Sequence, residues 1–327
     1  DGYSIVDLGT LEGAASFGYA LNDSGEAAGM TFDAGDRPQA FYVDSSLTFH
    51  HIFQYPASEA RGISTSGRVA GFREDAAGKL YPALCTGGSE QILSVPGSGS
   101  GAAYAISPDG SRVAGIYEAS ASAWHAILWT DNLPVSLGQG LGPFSSAEGV
   151  ADSGTVVGWR LDDAGVSRAV LWKNSNTINI GEDFSLDSFG TCIDAHGRGA
   201  GYARFADSTV HAILWEDLES TDLGGAENGF SRAYGINRYA QVVGSFNTAS
   251  DNRHACIWHG GEMKDLNTLL LNDTEWELAE AWAINENGQI VGSGSRNGEW
   301  HAFRLTPVTA GQTPHADNQS VDVYEDT

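Results

Sequence analysis

"AWAINENGQIVG" (281–292) is a short apolar strand, a tight turn and a second apolar strand ending in glycine. The same phrase occurs six more times: "GYALNDSGEAAG" (18–29), "ARGISTSGRVAG" (60–71), "AYAISPDGSRVAG" (103–115), "AEGVADSGTVVG" (147–158), "GTCIDAHGRGAG" (190–201) and "AYGINRYAQVVG" (233–244). The turn positions Gly25, Gly67, Gly110, Gly154, Gly197, Ala240 and Gly288 are spaced by 42, 43, 44, 43, 43 and 48 residues. A period of that size, held over the whole chain, marks a repeat architecture.

Each copy continues in the same way. A polar loop leads to a short apolar strand: "QAFYV" (39–43), "YPALC" (81–85), "HAILW" (125–129), "RAVLW" (168–172), "HAILW" (211–215), "HACIW" (254–258) and "HAFRL" (301–305). A further short strand of the type "TINIG" (177–181) or "STDLG" (220–224) follows. Four short strands per repeat, with no helical stretch between them, predict a propeller blade. The seventh repeat has three strands and then reads "LTPV" (305–308), while "YSIVDLG" (3–9) stands alone at the N-terminus. The expectation is an all-β fold. It is a single seven-bladed β-propeller of four-stranded blades over 3–308, with the N-terminal strand closing blade seven.

The chain carries 42 acidic against 17 basic residues, a net charge of −25, with Lys79, Lys173 and Lys264 its only lysines. That balance argues against nucleic acid and anionic membrane surfaces as partners. No apolar run reaches the roughly 18 residues of a membrane-crossing helix. Cys85, Cys192 and Cys256 form no CxxC pair and are expected to be small buried hydrophobes. No hydrolase, metalloprotease, P-loop or dinucleotide motif occurs. No metal site is expected. "DAGD" (33–36) and "LDDAG" (161–165) lack the spacing of a calcium loop, so Ca²⁺ is a remote expectation.

"GINRYAQVVG" (235–244), "HAILW" (125–129), "DLGTL" (7–11) and the final unit 264–307 resemble the HAF-repeat family of bacterial extracellular proteins. The resemblance spans nearly the whole repeat array. It implies secretion or surface display, after removal of a signal peptide, and no particular activity. The tail "ADNQSVDVYEDT" (316–327) resembles the first strand of an Ig-like or cadherin-like module, with 309–315 as linker, implying further C-terminal domains.

With "AxGIN" as the inner strand, the variable x position reads Tyr19, Arg61, Tyr104, Glu148, Thr191, Tyr234 and Trp282 around the channel mouth. Loops after each "VVG" add Arg73, Tyr117, Arg160 and Arg204, and the "H" of "HAF" (His125, His211, His254, His301) is placed on the same face. Four histidines in one register fit a repeated structural task better than a shared metal. Trp129, Trp172, Trp215 and Trp258 are expected to pack between blades. An ion pair between Arg61 and Glu148 would be a structural account of those two. The ligand-binding expectation rests on Tyr19, Arg61, Arg73, Tyr104, Tyr117, Glu148, Arg160, Arg204, Tyr234 and Trp282. Arg and aromatic rings together suit a glycan or polysaccharide; a surface protein is the other partner considered. The alternative is a polysaccharide lyase acting on a uronate-containing substrate, with an Arg on the carboxylate and Tyr or His moving the proton.

Overall fold

The phrase folds as a β-hairpin in all seven copies. In the first, the Asn22 side chain accepts from the N–H groups of Ser24 and Glu26, and Gly25 turns the chain at φ +78°. Ala240 stands where the other repeats have glycine and still takes φ +57°, a conformation that costs a residue with a Cβ.

The structure is a computed structural model. It describes residues 2–11, 15–53, 55–97, 99–138, 142–184, 186–225, 228–271 and 275–308. The expected linker and truncated module at 309–327 lie outside the described residues. The described strands form seven antiparallel four-stranded sheets. Six are built from consecutive strands. The seventh runs Trp276–Ile284, Ile290–Arg296, Glu299–Val308 and then the N-terminal strand Gly2–Asp7. That strand pairs with the last from Gly2 opposite Val308 to Asp7 opposite Phe303. First strands of neighbouring blades touch all the way round, the seventh against the first included, so the ring is closed. The chain is a seven-bladed β-propeller.

Two repeated devices hold the blades. The tryptophans ending the third strands pack between blades as expected. Trp129 is fully buried among residues of blades two and three and donates from Nε1 to the Ser94 carbonyl at 2.6 Å. Trp172, Trp215 and Trp258 occupy the next three seams. The second device was not read from the sequence. A buried serine near the start of an inner strand accepts the N–H of the "HAF" alanine in the preceding blade: Ser58 from Ala40, Ser145 from Ala126, Ser188 from Ala169, Ser231 from Ala212, and Ser16 from Ala302 across the closure. One blade has Pro82 in place of that alanine and so has no N–H to offer. The residue facing it from the next blade is Gly101, whose Cβ position lies 3.4 Å from Pro82 Cδ.

Candidate functional site

The inner strands enclose a channel of about 980 Å³ along the propeller axis. Its shape comes from one local irregularity. In every blade the pairing of first with second strand slips at x: between Gly18 and Ala20, Ala60 and Gly62, Ala103 and Ala105, Ala147 and Gly149, Gly190 and Cys192, Ala233 and Gly235, and Ala281 and Ala283. The x residue is therefore the extra residue of a β-bulge, and a bulge re-aims its side chain. All seven x residues line the channel. They form a belt within it, not the rim expected from the sequence.

The bulge also explains the glycine that ends "VVG". A Cβ on Gly29, Gly71, Gly115, Gly158, Gly201, Gly244 or Gly292 would sit 1.9–2.0 Å from the carbonyl oxygen of the residue two before x. No side chain fits there. The small residues flanking x and the closing glycine are thus one constraint, and x is the position left free to vary.

Tyr19, Arg61, Tyr104, Glu148, Tyr234 and Trp282 are brought together in the channel. Tyr234 stacks on Trp282 at 4.3 Å, Trp282 meets Tyr19 edge-on at 5.3 Å, and Arg61 lies 4.3 Å over the Tyr19 ring. Arg73, Tyr117, Arg160 and Arg204 are not among the lining residues. Strand alternation is the reason: the residue right after "VVG" faces the channel and the next faces away. Hence Phe72, Ile116, Trp159 and Tyr202 line it. Arg73 instead pairs with Glu90 at 2.7 Å and covers the Tyr55 ring at 3.4 Å. Tyr117 is buried in a seam with its hydroxyl on Ser136. Arg160 donates to the Leu161 carbonyl, and Arg204 is exposed beyond the channel.

The histidines are not on the channel either. His211, His254 and His301 bond by Nδ1 to Asp222, Asp265 and Asp7, at 2.9, 2.7 and 2.9 Å. Each of those aspartates is the "D" of a "DLG"-type fourth strand, so "HAF" and "DLG" are two halves of one strand-to-strand link. The calcium-like loops are turns: Asp33 accepts from Gly35 N–H and pairs with Arg37, and Asp162 accepts from Ala164 N–H and pairs with Arg168. The cysteines are free thiols; burial pushes Cys192, on the channel wall, up to about 12.

The electrostatics of the channel differ from the expected Arg61–Glu148 pair. Arg61 pairs with Glu59, two residues before it, at 2.6 Å. Glu148 accepts from Ser146 Oγ at 2.6 Å and Trp159 Nε1 at 3.3 Å. Burial outweighs these bonds and the Arg61 charge and raises the Glu148 carboxyl above its ordinary range. Burial likewise pushes the Tyr19 phenol up to about 12 and raises Tyr104 and Tyr234. These phenols stay protonated at neutral pH. They can donate hydrogen bonds and cannot act as bases.

The two ends of the channel are unlike. Where the inner strands begin, Trp124, Phe144, Phe189, Tyr202, Arg232, Arg253 and Glu280 line it. Phe189 stacks on Tyr202 at 5.0 Å, and Trp159 meets Phe189 edge-on at 5.5 Å. Arg253 pairs with Glu280 at 2.6 Å. The hairpin-turn end carries Asp23, Asp152, Asp194 and Glu286, with Arg238 on Glu286 at 3.4 Å. Sequence reasoning missed Arg232, Phe189 and Glu280, whose signal is their place two residues before x.

No known family description matches the chain, and no curated protein matches it. Solved structures do. The β-propeller domain of the Trilobed protease from Pyrococcus furiosus, described as having an open velcro topology, is 11% identical with a TM-score of 0.60 and covers 97% of each chain. The BP39L lectin from Burkholderia pseudomallei is 10% identical with a TM-score of 0.51, over 91% of this chain and 97% of that one. TolB from Acinetobacter baumannii is 11% identical with a TM-score of 0.52; the match covers 86% of this chain but only 63% of the TolB chain. At such identities the likeness is one of fold, and what it establishes is that this chain is a β-propeller module.

Proposed function

We propose that this propeller binds a saccharide in its channel, as a secreted or cell-surface module of the HAF-repeat type. One observation carries the reading: the Tyr234–Trp282–Tyr19 cluster lies on the channel wall beside hydrogen-bonding groups in a cavity of about 980 Å³. Flat aromatic faces take the apolar faces of sugar rings, and protonated phenols with Arg–Glu pairs serve the hydroxyls. The propeller lectin among the similar structures is in keeping with this reading without carrying it.

The lyase reading is weaker on chemical grounds. Among the described residues no histidine lines the channel, and the tyrosines there are held protonated. A donor for the leaving oxygen is present; the groups left to serve as base are carboxylates, and of the two that line the channel from the inner strands Glu280 is held by Arg253 and Glu148 by Ser146 and Trp159. The test is a glycan array followed by titration of the retained sugars with tryptophan fluorescence as readout. Trp282→Ala should weaken binding roughly tenfold or more through loss of the stacking face. No retention of any glycan, or unchanged binding by Trp282→Ala, overturns the proposal. Appearance of an ultraviolet-absorbing unsaturated product from a uronate polymer would instead establish the lyase.

A further inference from the structure

Four arginines line the channel: Arg61, Arg232, Arg238 and Arg253. Three are neutralised at once, by Glu59 at 2.6 Å, Glu286 at 3.4 Å and Glu280 at 2.6 Å. Arg232 is the exception. Among the described residues no carboxylate lies within ion-pair distance of its guanidinium, and no acceptor receives a hydrogen bond from it. Its Nε is buried without a partner. The guanidinium is held by ring faces instead, 4.4 Å over Tyr202 and 5.0 Å over Phe230. Stacking fixes the plane of the fork and leaves its donor edges unspent.

An unpaired cation of this kind is costly to keep in a protein that otherwise pairs its channel arginines, and the chain has a net charge of −25. Its surroundings are prepared for an anion. Glu148 is tied to Ser146 Oγ and Trp159 Nε1, and burial raises its carboxyl above the ordinary range. The remaining acidic residues of the lining gather at the other, hairpin-turn end, apart from Glu280, which Arg253 neutralises.

We propose that Arg232 makes the channel selective for an acidic saccharide, whose carboxylate or sulfate oxygens the guanidinium fork receives at the aromatic end of the channel. This rests on the saccharide reading and adds charge selectivity to it. A planar fork receives two oxygens of one carboxylate, or two of a sulfate, in parallel bonds. The ring of the same sugar unit then lies at the edge of the Tyr202–Phe189 stack, beside the guanidinium. Entry is from the end where the inner strands begin, because the opposite end repels the ligand's charge.

The experiment is isothermal titration of the full chain with oligogalacturonides, with their carboxyl-reduced counterparts, and with sulfated galactan oligosaccharides. An acidic probe should bind roughly tenfold or more tightly than the reduced one, as expected for a charge-assisted pair. Arg232→Gln should remove that preference, weakening the acidic probe by roughly tenfold or more and the reduced probe far less. Arg232→Lys keeps the charge, loses the fork, and should fall between the two. Binding of the acidic probe by the unaltered protein should weaken with added salt, a readout that needs no variant. The sulfated and carboxylated arms identify which anion the fork receives. If reduced and acidic probes bind equally, or if Arg232→Gln keeps the preference, the selectivity falls and saccharide binding stands. If no saccharide binds, both fall together.

Discussion

His301 Nδ1 lies 2.9 Å from Asp7 Oδ2, so the last described strand is bonded, side chain to side chain, to the first. The same aspartate receives Arg296 at 2.7 Å. The ring's closure therefore rests on backbone pairing plus a three-residue ionic knot drawn from both ends of the sequence. The Asp7 bond raises the His301 ring above its ordinary range, with burial opposing. Burial acts to raise Asp7, but bonds from His301, Gly9 N–H and Arg296 together lower it.

The signs give a pH window. The His301 contribution is complete below its unfolded pKa of about 6.5 and is lost as pH climbs through the raised folded value. The Asp7 contribution is present above about pH 4 and is lost as pH falls through the lowered folded value. Closure is strongest between the two. Asp7→Asn should cost about 2 kcal/mol near pH 6, by leaving His301 and Arg296 without their carboxylate. Urea unfolding of the unaltered chain at about pH 6 and about pH 8 should show a stability difference that His301→Gln reduces. An equal difference in both proteins would remove the pair from the account of closure.

The serine seams predict a different kind of loss. Ser188→Ala leaves the buried N–H of Ala169 without its acceptor at 3.0 Å. An orphaned buried donor costs about 1–3 kcal/mol. Gly101→Ser, at the one seam where Pro82 offers no donor, should gain nothing and lose some packing against Val95, whose Cγ1 lies 2.8 Å from the Gly101 Cβ position. Denaturant midpoints of the two variants check both signs together.

The bulge makes the sharpest structural prediction. Gly244→Ala would place a Cβ 1.9 Å from the Arg232 carbonyl oxygen. Relief requires moving the inner strand that carries Tyr234, so both stability and ligand binding should suffer. The expected cost is about 3 kcal/mol, at the upper end for overpacking. Gly35→Ala, on an exposed turn with ordinary φ and its nearest neighbour, Asp33 Oδ1, at 3.3 Å, should cost far less in calorimetric Tm.

What the sequence made legible follows from where its physics is local. Turn glycines at a fixed period gave the blade count, and a solitary "DLG" strand at one end with a three-strand repeat at the other gave the closure. Three of the four "HAF" histidines, His211, His254 and His301, have a structural partner that the sequence did not show, because the His–Asp link joins strands through register alone. The channel was half legible. Position x is correct as the lining position, since it alone varies between small neighbours. The residues after "VVG" continue the second strand instead of opening a loop, so alternation turns Phe72 and Trp159 into the channel and Arg73 and Arg160 away from it. Arg232 was invisible for a different reason: its role depends on which partners it lacks, and only the folded chain shows that.

Glu148 separates burial from pairing as the origin of the channel's electrostatics. Its folded pKa is raised, so its favourable contribution is complete below the unfolded value near pH 4.3 and is lost as pH rises through the folded one. At higher pH the protein holds a buried carboxylate, and Arg61, whose charge acts on it, is already committed to Glu59. Glu148→Gln keeps the shape and never ionises. It should stabilise the fold by about 1 kcal/mol at pH 8 and be nearly neutral at pH 4. Were Glu148 instead an ionised partner of Arg61, the same substitution would destabilise at pH 8, and thermal unfolding at the two pH values would show the opposite sign.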